Sequence, residues 1–179
     1  MVTVAKMTDE NKFNLNHANQ PFNIIGRLDI HFNNGKFESG EVLFENISRK
    51  QYPNYNGADA NDYINSNDRR VYFAFCGSEC VGQILLAISW NGYAHVEDLS
   101  VSEAFRCQGV GALLLLKACE WAKEKGVSAL SVECQDNNLY ASRFLSKNGF
   151  EIGGVNAKLY AMLGEPYATE TAVFWYKKI

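Results

Sequence analysis

The 179-residue sequence has no CxxC pair, no basic arm or stripe, and no apolar run long enough to cross a bilayer. Each absence removes a class of function. The five cysteines, Cys76, Cys80, Cys107, Cys119 and Cys134, are odd in number, so neither a disulfide framework nor a zinc knuckle is indicated. They read as reduced, small apolar residues. A formal net charge of -3 and a pI near 5.6 argue against a nucleic-acid partner. The opening MVTVAKMTDENKFN lacks an apolar signal core, and nothing approaches the ~18 apolar residues of a membrane span. A cytoplasmic protein with no membrane partner is therefore expected. No repeat, low-complexity tract or linker interrupts the chain, and its length predicts a single domain over 1–179.

What is present is 47% hydrophobic and 21% charged, as in an ordinary globular domain. Residues 22–32 and 37–48 read as strands around Asn33-Asn34-Gly35, a hairpin signal. The polar tract that follows reads as a loop with one short helix over 59–66. VYFAFC and ECVGQILLAISW are predicted strands joined by a turn at 77–79, and Asn91-Gly92 opens a hairpin into a strand at 94–101. From Gly109 to Lys125, Lys117, Glu120 and Glu124 share one helical face, with Gly126 as a C-cap. A strand over 129–135 and a helix capped by Asn137 or Asn138 and running to Lys147 follow. Two last strands are predicted, FEIGGVNAKLYAML and TAVFWYKKI. A strand–helix–strand unit joined to hairpins predicts an α/β fold with a mixed, mostly antiparallel sheet.

Gly109 and Gly111 fall at the first turn of a helix that follows a strand. The amides there have no intrahelical acceptor, and the helix dipole is positive. Without Cβ atoms the backbone can be approached by a bulky anion, and Arg106 adds positive charge. A phosphate or pyrophosphate site is the physical reading. A P-loop is excluded because G-x-x-x-x-G-K-[ST] is absent. A dinucleotide fold is disfavoured because Leu114 stands where its third glycine belongs. The remaining pattern is [RQ]-x-x-G-x-[GA], here Arg106-Cys107-Gln108-Gly109-Val110-Gly111.

Over residues 70–179 the chain resembles the GNAT superfamily of acyl-CoA-dependent N-acetyltransferases. VEDLSVSEAFRCQGVG is similar to its fourth strand and pyrophosphate loop. NNLYASRFLSKNGFEIGG is similar to its second signature, on Asn138, Ala141, Gly149 and Phe150. A narrower resemblance, in ECQDNNLYASRF, GFEIGGVNAKLYA and ETAVFWYKK, is to bacterial streptothricin acetyltransferases. The resemblance implies a GNAT fold, its sheet splayed in the middle with helices on both faces. It also implies acetyl-CoA as co-substrate, no metal, and a small-molecule amine acceptor. Main-chain groups of Leu99, Ser100 and Val101 would pair with the pantetheine arm. The amides of Arg106, Cys107, Gln108, Gly109, Val110, Gly111 and Ala112 would hold the pyrophosphate, and Asn138 would bond the pantetheine.

Attack on a thioester needs a neutral amine, and a carboxylate can take its proton. Glu97 and Asp98 form one acidic pair, of which only one can face a cleft unless a bulge intervenes. Glu133 on the next strand is the third candidate base. His95 matches the base of histone-type members; His17 and His31 carry no expectation. The resemblance fails at Leu145, where the family has a tyrosine that protonates the departing thiolate; Tyr140 and Tyr160 are the hydroxyls available to substitute. Phe174-Trp175-Tyr176 reads as core and homodimer surface, or as an acceptor-site wall. The Asn/Asp-rich stretch 54–68 reads as a surface loop or as a lid over a cationic acceptor.

Overall fold

The computed structural model describes residues 1–56 and 59–179. In chain order the elements are β1 (Val2–Lys6), β2 (Phe22–Asn33), β3 (Lys36–Lys50), α1 (Asp59–Ile64), β4 (Arg69–Cys76), β5 (Glu79–Ile88), β6 (Ala94–Val101), α2 (Val110–Glu124), β7 (Ala129–Gln135), α3 (Leu139–Lys147), β8 (Glu151–Asn156) and β9 (Ala172–Lys178). They fall into two compact units. One holds Met1–Phe22, Gln51–Leu130 and Ile179; the other holds Asn23–Lys50 and Ser131–Lys178.

In the first unit β1, β4, β5 and β6 pair antiparallel in that order. Every residue of β5 from Cys80 to Leu86 is buried, so both faces of this strand need cover. On one face Met7, Ala60 and Tyr63 pack with Val71, Phe73, Cys80 and Leu85. On the other lies α2, with Val110, Leu114, Leu115, Ala118, Trp121 and Ala122 buried along one stripe. Gly82 allows the close approach: a Cβ there would sit 3.0 Å from Leu114 Cδ1 and 3.1 Å from Val110 Cγ1. That contact fixes the entrance of α2 against β5. The strand β1 was not expected; five residues suffice because each has a partner on β4.

In the second unit β2 and β3 form a hairpin whose turn residues, Asn34 (φ 49°) and Gly35 (φ 80°), are both left-handed, as a tight hairpin turn requires. Asn138 caps α3, its Oδ1 accepting the Ala141 N–H at 3.1 Å. The second unit's other strands follow the order β7-β9-β8, with β7 beginning in the first unit at Ala129. The expected strand over 150–163 is corrected: β8 stops at Asn156. The Asn156 side chain accepts the Lys158 N–H at 2.9 Å, a local turn that replaces the ladder. Further turn bonds carry the chain through Leu163. No disulfide joins any of the five cysteines, and burial pushes the Cys134 thiol up to about 12.

A Cβ on Gly26 would lie 2.3 Å from Val42 O and 2.9 Å from Leu43 Cα, both main chain of the facing strand. Gly26→Ala is expected to destabilise by about 1–3 kcal/mol. The urea midpoint measures this; an unchanged midpoint would mean that the hairpin parts freely.

Candidate active site

At the entrance of α2, Cys107 (φ 60°) and Gly109 (φ 86°) are both left-handed. The first intrahelical bond runs from Leu113 N–H to Gly109 C=O at 3.1 Å. The amides of Val110, Gly111 and Ala112 therefore precede the ladder and have no helical acceptor. Amides bared beside left-handed residues form a concave, anion-accepting surface. Nothing lies within 4 Å of a Cβ built on Gly109, so the approach is open.

Arg106 behaves differently from expectation. Its Nε donates to Val101 C=O (2.9 Å), and its two terminal nitrogens donate to Pro21 C=O (2.8 Å) and Gln20 C=O (2.9 Å). Its own amide donates to Glu103 C=O at 3.3 Å. The guanidinium thus clasps the loop to the chain before β2 and is held in a fixed position. Gln108 is tied too, Nε2 donating to Ala104 C=O at 2.7 Å. Leu99, Ser100 and Val101 lie on β6 opposite Ile84, Gln83 and Gly82 of β5.

The acidic pair sits on a β-bulge. β5 pairs Leu85 with Asp98 and Leu86 with Val96, leaving Glu97 without a partner residue. The alternation that would separate Glu97 from Asp98 is broken there. The Tyr63 hydroxyl donates to Glu97 Oε2 at 2.5 Å, and the Tyr55 hydroxyl donates to Glu97 C=O at 3.0 Å. Asp98 Oδ2 accepts from Gln83 Nε2 (2.6 Å) and from the Ser100 hydroxyl (3.0 Å). Burial raises the Asp98 pKa, against the lowering effect of its hydrogen bonds to Gln83, Ser100 and Leu99. Burial also lifts both tyrosines well above their ordinary value, helped by the nearby carboxylates. His95 lies further along β6, opposite Ala87.

Of the tract 54–68, residues 57 and 58 lie outside the described residues. On either side of them the chain is no plain surface loop. Tyr55 is half-buried, Tyr63 is only 4% exposed, and both reach Glu97. Sequence reasoning missed these tyrosines because nothing local in the tract points inward. Gln83 carried a readable signal: it is the single amide in an apolar run.

In the second unit Glu133 accepts from the Tyr160 hydroxyl, which in turn accepts from Gln135 Nε2 at 3.0 Å. Burial raises the Glu133 pKa, against that bond and the nearby Lys50 ammonium. Lys50 Nζ lies 2.6 Å from both oxygens of buried Glu170, which also accepts from Asn137. Leu145 is core, 3% exposed. Tyr140 is exposed, with the Arg143 guanidinium over its ring at 5.9 Å. Trp175 is buried and Tyr176 lies against Gly153 of β8.

Residues 41–150 match the model of the Acetyltransferase (GNAT) family. The chain belongs to the GNAT acetyltransferase family. Streptothricin acetyltransferase A of Bacillus subtilis (strain 168) is 38% identical over 175 residues, 98% of this chain and 99% of that protein. A streptothricin acetyltransferase of Escherichia coli is 30% identical over 149 residues, 83% and 80% of the two chains. A crystal structure of a Bacillus anthracis str. Ames protein thought to be a streptothricin acetyltransferase, in complex with acetyl coenzyme A, superposes with a TM-score of 0.90. It is 29% identical and covers 100% of both chains. This GNAT protein is an acetyl-CoA-dependent N-acetyltransferase with the family's α/β fold. Among the described residues no helix is long and apolar enough to cross a membrane.

The raised pKa of Asp98 has a consequence for stability. The folded enzyme holds that proton more tightly than the unfolded chain does. The group's contribution is present below the ordinary carboxylate value and is lost as pH rises through the raised one. Asp98→Asn, with no proton to lose, is expected to gain stability relative to the parent across that window. Urea midpoints at a series of pH values measure it, and a difference that stays flat with pH would contradict the assignment.

Proposed function

We propose that this acetyltransferase acetylates a small-molecule primary amine, and that the amine is the β-lysine amino group of a streptothricin-type antibiotic. The observation that carries the acceptor reading is the bulge at Glu97, which gathers Glu97 and Asp98 with the hydroxyls of Tyr55 and Tyr63. Two carboxylates beside aromatic rings suit a cationic amine. The names of the relatives support the antibiotic as acceptor.

Acetyl-CoA, when bound, supplies an acetyl group activated as a thioester. The bared amides from Cys107 to Ala112 fit its diphosphate, since they present donors to an anion without needing a side chain. The main chain of Leu99, Ser100 and Val101 aligns the pantetheine arm.

The enzyme's other task is to make the amine nucleophilic. A lysine-like amine has an ordinary pKa near 10.4, so at pH 7 only about one molecule in 2,500 is neutral, roughly 4.6 kcal/mol of barrier. In this reading Glu97 and Asp98 bind the ammonium together, and Asp98 takes the proton before direct attack within a ternary complex. Its raised pKa brings it closer to the working pH than an exposed carboxylate would be. Glu133 is the competing base, and its carboxylate is already engaged by Tyr160. Asp98→Asn and Glu133→Gln, compared for kcat across pH, tell the two apart.

Free-thiol release with streptothricin, spermidine and lysine peptides tests the acceptor. Release with streptothricin alone is expected. Release with another amine would reassign the substrate, and no release with any amine would overturn the reading.

Gly109→Val tests the phosphate assignment. Valine at φ 86° is strained by about 1–2 kcal/mol, but the space is open, so the fold is expected to survive. Calorimetric affinity for acetyl-CoA should fall about tenfold or more; unchanged affinity would remove these amides from the site.

A further inference from the structure

Gln83 is fully buried on β5, and both ends of its amide are bonded. Oε1 accepts the Asn16 main-chain N–H at 2.8 Å, and Nε2 donates to Asp98 Oδ2 at 2.6 Å. A main-chain N–H can only donate, so the carbonyl end must face Asn16 and the amino end must face Asp98. The amide has one way to sit. Asn16 is itself held in a left-handed conformation, φ 70°. Its side chain pairs with the main chain of Tyr55 in both directions, Nδ2 to Tyr55 C=O at 2.7 Å and Tyr55 N–H to Oδ1 at 2.9 Å. Tyr55 then bonds the carbonyl of the bulged Glu97. The bonds close a ring, Gln83–Asn16–Tyr55–Glu97–Asp98, within the first unit.

We infer that Gln83 is a positioning residue for acetyl transfer: its amide holds Asp98 oriented as a proton acceptor and locks the segment bearing Tyr55 to the acidic bulge. The inference rests on Asp98 being the acceptor, as proposed above. A donor aimed at a carboxylate favours its charged form, and here it works against burial. Among the described residues, Glu97 on the same strand and Tyr55 from the segment before α1 are titratable groups near Asp98, beside its bonds to Gln83 and Ser100. Behind Glu97 stand Tyr63 of α1 and Arg69, whose guanidinium lies 5.3 Å over the Tyr63 ring.

Gln83→Met keeps the volume and removes both bonds. The acidic limb of kcat/KM for the amine is expected to move up by about one pH unit. KM for the amine should rise while KM for acetyl-CoA stays put. The carboxyl 13C resonance of Asp98, titrated without substrate, should shift its midpoint upward by a similar amount. Gln83→Glu keeps the bond to Asn16 but sets a second carboxyl against Asp98, so it should move the limb further; it serves where Gln83→Met does not fold. Asn16→Gly keeps the main-chain N–H and the left-handed φ but deletes the pairing with Tyr55. It should raise the amine KM without moving the limb.

A limb and a resonance that stay in place in Gln83→Met and Gln83→Glu, with only the melting temperature lowered, would overturn the inference. So would an Asn16→Gly limb displaced as far as that of Gln83→Met. Asp98→Asn separates the two levels. If it keeps the limb, the reading of Asp98 as acceptor fails and this inference fails with it. If it loses the limb while the Gln83 variants do not shift it, only the role of Gln83 fails.

Discussion

One surplus residue in β6 governs the candidate site. A regular strand would send Glu97 and Asp98 to opposite faces, and one of them would meet the apolar stripe of α2. The skipped register against β5 lets both join the same polar group instead. That group can exist in a half-buried setting because its members satisfy one another. The hydroxyls of Tyr55, Tyr63 and Ser100 and the Gln83 amide all donate toward oxygens of Glu97 or Asp98. A buried polar network missing one member leaves its neighbours unpaired, which is costlier than having no network. The bulge, the tyrosines and the glutamine therefore support one another.

In the proposed reading the two substrates are met by different kinds of chemistry. Around the entrance of α2 the donors are main-chain amides, made available by left-handed residues and by a helix that has not yet begun its ladder. Side chains there are turned to structural work, Arg106 bonding carbonyls of Val101, Pro21 and Gln20 and Gln108 that of Ala104. At the bulge the groups are side chains, with carboxylates, phenols and an amide bonded into one cluster.

How much of this was legible in the sequence follows the range of the interactions. Asn34-Gly35, Gly109, Gly126 and the cap at Asn138 are local signals, and the elements they punctuate stand where they were expected. The end of β8 was missed because a single asparagine side chain diverts the ladder at Lys158. The bulge has no sequence signature at all. Tyr63 meets Glu97 across 34 residues, Tyr55 meets it across 42, and Asn16 meets Gln83 across 67. No window along the chain contains such pairs. The tract that holds both tyrosines is rich in Asn and Asp, and that composition hid two inward-facing rings.

If the head of α2 takes the diphosphate as proposed, the arginine clasp there changes what kind of encounter the incoming polyanion has. An arginine waving in solvent must be caught and ordered at the moment of contact. Arg106 lost its rotational liberty when the chain folded, because three carbonyls already hold its fork. On that reading this cation is already in place before its visitor arrives, and its ordering was settled when the chain folded.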